Sequence, residues 1–266
     1  MIIAENYEYL KQHHADLLSL TITDVCAGTY LLAVRLSDGA MGVSSSERDK
    51  DIHCDVKDRD YGEFTPLKIT GRTVAQLFEN PKRSALVNAL SIAVLNAIGS
   101  QMIEKQGYKI VRNTDPIDLI DINEPKKITL VGAFHSYIRK VNMVNRTLKV
   151  LELNESALLP EHRQFYVPAE RYQEILPDSD VVMITGLTLV NRTFDDLLNA
   201  CNPKTNIIVV GPSSNIIPSV LFQKKVDIIG GTMITQKDLL FDLVGQGAAG
   251  YHLFKYCAEK ICVLNE

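Results

Sequence analysis

A chain of 266 residues, 46% hydrophobic and 23% charged, has the composition of a globular protein with one large or two modest domains and material for a sizeable core. A formal net charge of -4 without any polybasic run argues against nucleic acid or an anionic membrane as partner and leaves small molecules as the expected ligands. The opening MIIAENYEYLKQHH lacks the basic flank and apolar stretch of a signal peptide, and ALSIAVLNAI is too short to span a bilayer. A cytoplasmic location is therefore expected, with the five cysteines reduced and mostly packed as small core residues.

TYLLAVRL and MGVSS flank Asp38-Gly39, a common tight-turn pair, and so predict a β-hairpin. The densely charged stretch from Glu47 to Glu63 has no apolar period and reads as a loop or covering flap, after which FTPLKIT offers one more short strand. TVAQLFEN and, beyond Pro81, KRSALVNALSIAVLNAIGSQMIEKQ have helical spacing, the second with apolar residues on nearly all faces, as a buried helix requires. TDPIDLIDI reads as a short helical turn with Asp115 as cap and Pro116 at its first position, and the domain boundary is placed at residues 124/125.

From there strand and helix alternate. KKITLVG, RTLKVLEL, DSDVVMITG, TNIIVVGPS and VDIIGGT are expected strands; FHSYIRKVNMV, PAERYQEIL, RTFDDLLNAC and IPSVLFQKK are expected helices. QKDLLFDLVGQ and YHLFKYCAEKICVL are expected to end the chain as helices. The rhythm predicts an α/β protein in which a small α+β domain, 1–124, precedes a Rossmann-like domain, 125–266, with a mainly parallel sheet.

Ligands of such sheets bind beyond the carboxyl ends of the strands where strand order reverses. That places Gly132 to His135, Thr185 to Asn191, and Gly211-Pro212-Ser213-Ser214 around one expected crevice. Capping of the following helices would account for Asn191 or Thr193 and for Ser213, Ser214 or Asn215 taken singly, but leaves Thr185, Gly186 and Thr188 without a role. The GPSSN turn combines a glycine, backbone N–H groups and hydroxyls, a set suited to an anion.

Glu152 ends the second sheet strand about twenty residues after Gly132, the spacing of a ribose-binding acid, yet VGAFHSYI supplies one glycine where GxGxxG needs three. The candidate proton carriers are His135 and Glu152. As metal ligands, His135 and the His53-Cys54 pair of the charged loop have suitable side chains without a recognised spacing. Cys257 and Cys262, five apart on the expected last helix, diverge too far to share a metal. Neither a nucleophile elbow, a P-loop nor HExxH occurs.

ITGLTLVNRTFDDLL, VVGPSSNIIPSVLFQKKVDIIGGTMI and VGAF together resemble the heavy-metal chelation family of bacterial and archaeal proteins, whose C-terminal domain the resemblance extends over about residues 125 to 260. The resemblance implies a small domain similar to the enolase N-terminal fold, a Rossmann-like domain, and a site in the cleft between them. Carried over by motif, its residues are Gly132, Phe134, Glu152, Thr185, Gly186, Thr188, Asn191, Gly211, Pro212 and Ser213. His135 stands where the family often has proline, and GQGAAG near Gly247 replaces a more acidic stretch. The expected function is binding of a small polar or anionic ligand, such as a heavy-metal chelate or chelator precursor, with a transition metal as the implied cofactor. The alternative is a transferase, lyase or oxidoreductase using a nucleotide-like cofactor. A homodimer is the default expectation.

Overall fold

Leu31–Leu36 (β2) and Met41–Ser45 (β3) pair antiparallel around Gly39, whose φ of +82° is the left-handed geometry such a turn requires. The structure, a computed structural model, describes residues 1–47, 61–124, 126–144 and 147–265. His53, Cys54 and nearly all of the charged loop 47–63 lie outside the described residues.

The third strand of the small sheet is Ile22–Ala27 (β1), on the free side of β2, and not the expected FTPLKIT. That segment runs through a 3₁₀ turn and bends instead. Leu67 adopts φ +71° and is fully exposed, while Phe64 and Ile69 anchor the bends in the core. Just beyond it Gly71 and Arg72 bond to Ile22 of β1, and Thr73 bridges Thr21.

Ile2–His13 (α1), Val74–Glu79 (α2) and Ala85–Lys105 (α3) complete the small unit. Thr73 and Gln76 form a reciprocal capping box on α2, and the Ser84 hydroxyl caps α3. By length and composition α3 could cross a membrane, but it is mostly buried here. It lies against β2 and β3, Ser44 donates to the Ala89 carbonyl at 2.8 Å, and Gly42 lets the helix backbone come within reach of the strand.

The large sheet has eight strands: Lys109–Arg112 (β4), Ile128–Val131 (β5), Leu148–Glu152 (β6), Tyr166–Pro168 (β7), Val181–Thr185 (β8), Asn206–Val210 (β9), Ile228–Ile234 (β10) and Ala258–Leu264 (β11). Their order is β4-β11-β10-β9-β8-β5-β6-β7, and the run from β10 to β7 is parallel. This is the doubly wound order, with reversal between β5 and β8 as the Rossmann-like expectation required.

Two edge strands depart from the expected elements. AEKICVL is not the end of a helix: Gly250–Tyr256 (α10) stops at Cys257, and β11 then pairs antiparallel with β10 along its whole length. Cys257 and Cys262 therefore share no helix, and both are buried. β4 precedes the expected boundary at 124 yet pairs with β11, so the large sheet draws a strand from the stretch assigned to the first unit.

His135–Val144 (α4) covers one face of the large sheet. Tyr172–Ile175 (α5), Leu187–Val190 (α6), Phe194–Ala200 (α7) and Pro218–Gln223 (α8) lie on the other, with Lys237–Gly245 (α9) packed against β1 and β2. The two units share one apolar core: Leu90, Val94 and Ile98 of α3 belong to the same buried cluster as Val131, Ile184 and Val209.

Candidate functional site

β5 and β8 are paired neighbours, but the connections that leave them cross to opposite faces of the sheet, and a cavity of about 260 Å³ remains beyond the strand ends. Its floor is apolar, made by Val131, Leu151, Leu187 and Leu197. Its rim carries Glu152, Glu170, Asp196, Thr185, Thr188 and Asn191, with Tyr172 at one side. Five expected residues thus meet at one cavity: Gly132, Glu152, Thr185, Thr188 and Asn191. All lining residues belong to the large sheet and its connections, so the cavity sits at the strand ends and not between the two units.

Each of these groups has a local reason for its place. Gly132 has φ +112°, and a side chain there would press against Thr185 at 3.2 Å, so glycine is what allows the β5 and β8 ends to touch. Glu152 is held by three N–H donors: Ala133 reaches Oε2 at 3.1 Å, and Leu153 and Asn154 reach Oε1 at 2.7 and 3.4 Å. The backbone N–H that a pyrophosphate would use in a dinucleotide fold is thereby occupied by the protein's own carboxylate. The Thr188 hydroxyl donates to the Thr185 carbonyl at 2.7 Å. Asn191 Oδ1 accepts from the Thr193 backbone at 3.2 Å and its hydroxyl at 2.7 Å, which leaves the Asn191 amide N–H groups for a ligand.

The other expected residues stand elsewhere. Gly186 and Gly211 are packing positions of the same strand-end layer: Gly186 donates to the Val210 carbonyl, and a side chain on it would meet Ser213 at 3.1 Å. Ser213 is fully buried, and its hydroxyl accepts the Ser45 N–H at 2.7 Å. The Pro212 carbonyl accepts from Asn96 at 3.0 Å. Ser214 donates to the Gly211 and Gly230 carbonyls, and Asn215 exchanges bonds with Thr232. Nor does the turn cap α8, whose entry at Ile217 donates instead to Asn6 of α1. The GPSSN turn is therefore the polar seam between the units, its Ser213, Ser214 and Asn215 side chains engaged by protein.

Phe134 stacks on Tyr137 at 5.4 Å on the α4 face, away from the cavity. His135 meets His162, a residue with no signal in its local sequence, with Nδ1 atoms 3.3 Å apart. A tetrahedral ion with nitrogens at about 2.0–2.1 Å spaces them by about 3.3–3.4 Å, so the pair fits two of four ligands. Among the described residues no three His, Cys, Asp or Glu side chains gather on a common point. Burial pushes the Cys201 thiol up to about 11, and burial with Asp115 and Asp118 pushes Cys262 up to about 12, so neither offers the thiolate a soft metal binds.

Glu170, Tyr172 and Asp196 are cavity residues that sequence reading missed. The first two arrive on the β7–β8 crossover, whose path over the sheet has no local signature. Asp196 carried one faint signal, an acid in the first turn of a helix at the strand ends. The electrostatics also differ from expectation: among the described residues three carboxylates and no cation line the cavity.

The C-terminal sequence pattern described as “putative heavy-metal chelation” matches residues 115–263, and an N-terminal pattern of the same description matches residues 8–99. The chain belongs to this family. Membership ties it to a general ligand-binding role in metal handling. An uncharacterized protein of Methanocaldococcus jannaschii is 28% identical over 181 residues, covering 64% of this chain and 63% of that protein's length. Two solved structures, both described as of unknown function, share the fold. One, from Pyrococcus horikoshii, superposes with a TM-score of 0.75 at 18% identity, covering 99% of this chain and 98% of its own. The other, from Desulfitobacterium hafniense, has a TM-score of 0.74 at 20% identity, covering 97% and 98%.

Proposed function

We propose that the crevice at the β5 and β8 ends binds a small amphiphilic ligand, neutral or cationic, and that the metal-handling ligand of this family member is a preformed metal chelate. The observation that carries this reading is the composition of the cavity wall: an apolar floor under Glu152, Glu170 and Asp196, with no cation lining it among the described residues. An anion would meet repulsion from all three carboxylates, which revises the anionic ligand expected from the GPSSN turn. A bare ion would find no group of three donors there among the described residues. A chelate brings its own donor atoms, needs only apolar contact and charge complementarity, and suits both facts.

Within that reading Glu152, fixed by Ala133, Leu153 and Asn154, accepts a hydrogen bond from an amine or hydroxyl of the ligand, and the Asn191 amide donates to an acceptor on it. The neighbouring His135–His162 pair supplies at most two ligands to a transition metal. A second reading, a nucleoside-bearing cofactor, rests on Glu152 at the end of the second strand; with the Ala133 N–H taken, the cofactor would be held by its ribose and base and not by a pyrophosphate.

Thermal melting with nickel or copper supplied as cationic ethylenediamine complexes, as anionic citrate complexes and as free ions tests this. The expected result is stabilisation by the cationic complexes, diminished in Glu152→Gln. Equal response to citrate complexes would overturn the charge argument, and a response to adenosine alone would favour the cofactor reading.

A further inference from the structure

Arg192 is the one residue of the NRT turn that faces away from the crevice. Asn191 and Thr193 line the strand-end cavity, whereas Arg192 lines a second cavity of about 120 Å³ between the two units, walled by α1, α2 and α3. Its backbone has φ +66°, the left-handed region a long side chain seldom occupies, and the Asn191 side chain clamps the turn in that shape. The strain sends the guanidinium across the domain seam.

In that cavity Arg192 joins Arg83, at the entry to α3, together with Asn88 of the helix itself. The Arg192 Nε is buried without a hydrogen-bond partner. Arg83 donates one N–H to the Phe78 carbonyl at 2.9 Å, and neither guanidinium has a carboxylate partner among the described residues. Burial and the charge of Arg192 both push the Arg83 guanidinium below its ordinary value. Two like charges brought together, one with a buried idle donor, are an arrangement that a bridging anion relieves.

We infer that this interdomain cavity is a phosphate site, in which Arg83, Arg192 and Asn88 hold the oxygens of one phosphate group. The chemistry favours phosphate over a carboxylate because a dianion neutralises both guanidinium charges and offers enough acceptors for two planar forks. The cavity has room for the phosphate group and not for a nucleotide. The inference stands apart from the crevice reading, since the two cavities share only the NRT turn.

Melting temperature against inorganic phosphate, and separately glycerol phosphate, at ionic strength held constant with chloride, tests it. Constant ionic strength removes general screening. Arg192→Gly is the informative variant because glycine accepts φ +66° without strain, so the fold persists while the guanidinium is lost. Arg83→Gln is the second. The expected result is a saturable rise in melting temperature for the native protein, with the half-saturating phosphate concentration at least tenfold higher in both variants and no comparable rise with acetate. Glycerol phosphate acting like free phosphate would identify a phosphorylated metabolite as occupant; activity of phosphate alone would identify the free anion. A native protein that shows no saturable rise, or a rise that survives within twofold in either variant, overturns the site.

Discussion

Ser213 Oγ stands 2.7 Å from the backbone nitrogen of Ser45 and accepts its hydrogen across the seam between the two units. Ser213 is fully buried, so Ser213→Ala leaves the Ser45 N–H without a partner in a place water reaches poorly. The expected cost is about 1–2 kcal/mol of stability with ligand affinity in the crevice unchanged. Urea denaturation beside a binding titration checks this; loss of binding at unchanged stability would return the residue to the site.

Gly99 of α3 lets two backbones approach closely at that seam. A side chain there would lie 1.9 Å from the Asn215 carbonyl oxygen and 2.9 Å from Ile216, both main-chain atoms that cannot swing aside. Gly99→Ala is expected to destabilise by about 3 kcal/mol or more, at or above the upper end of ordinary overpacking, and to separate the units or unfold them together. Differential scanning calorimetry distinguishes a split transition from one lowered transition.

Asn191→Asp keeps the acceptor that binds the Thr193 N–H and hydroxyl, so its stability should stay within about 0.5 kcal/mol of native. Asn191→Ala removes that clamp while Arg192 keeps its left-handed backbone, and about 1 kcal/mol should be lost. Under the proposed function the aspartate loses the amide donor but adds a fourth carboxylate to the rim, so it tightens cationic ethylenediamine complexes, which offer that amide no acceptor. Unchanged affinity in both variants would remove Asn191 from the ligand's contacts.

Lys224 holds Glu5 at 2.9 Å and Asp195 at 3.0 Å, and Asp195 also accepts the Ile2 N–H at 2.8 Å, joining α1 to the large unit. Burial pushes the Asp195 carboxyl up, but the Ile2 N–H and the Lys224 ammonium outweigh it and leave the carboxyl below its ordinary value. For Lys224, burial lowers and the two carboxylates raise, with a net rise. A depressed carboxyl stabilises the fold above its unfolded value of about 3.9 and loses that contribution as pH falls through the folded value. A raised lysine stabilises below its unfolded value of about 10.4 and loses its contribution as pH rises through the folded value. Stability should therefore decline at both extremes. Lys224→Gln should lower the urea midpoint at pH 7 and remove the alkaline decline from this lysine; an alkaline limb identical to native would show that the cluster carries no linkage.

The strands around the crevice were legible because each is buried on both faces and reads as a short apolar run ending in glycine or a hydroxyl residue: ITLVG, VVMITG and IIVVG. The chain alone also marked Gly132, Glu152, Thr185, Thr188 and Asn191, because the places where apolar strands end in small polar residues are a local consequence of the alternation. β11 was not legible, since AEKICVL continues a helical spacing and becomes a strand only because β10 exposes an edge that needs pairing. Nor was the role of GPSSN.

The same glycine, hydroxyls and carboxamide could cradle an anion or close a domain seam. Which of these they do depends on what lies opposite, and only the tertiary structure sets Ser45, Asn96 and Thr232 there. By itself the sequence determined the alternation of strand and helix and the polar loops at the strand ends, because these follow from periodicity along a few neighbouring residues; the pairing of β5 with β8 that makes the reversal point is tertiary. The tertiary structure decided which donors remain free for a ligand, because satisfying a buried polar group is a contest among partners far apart in the chain.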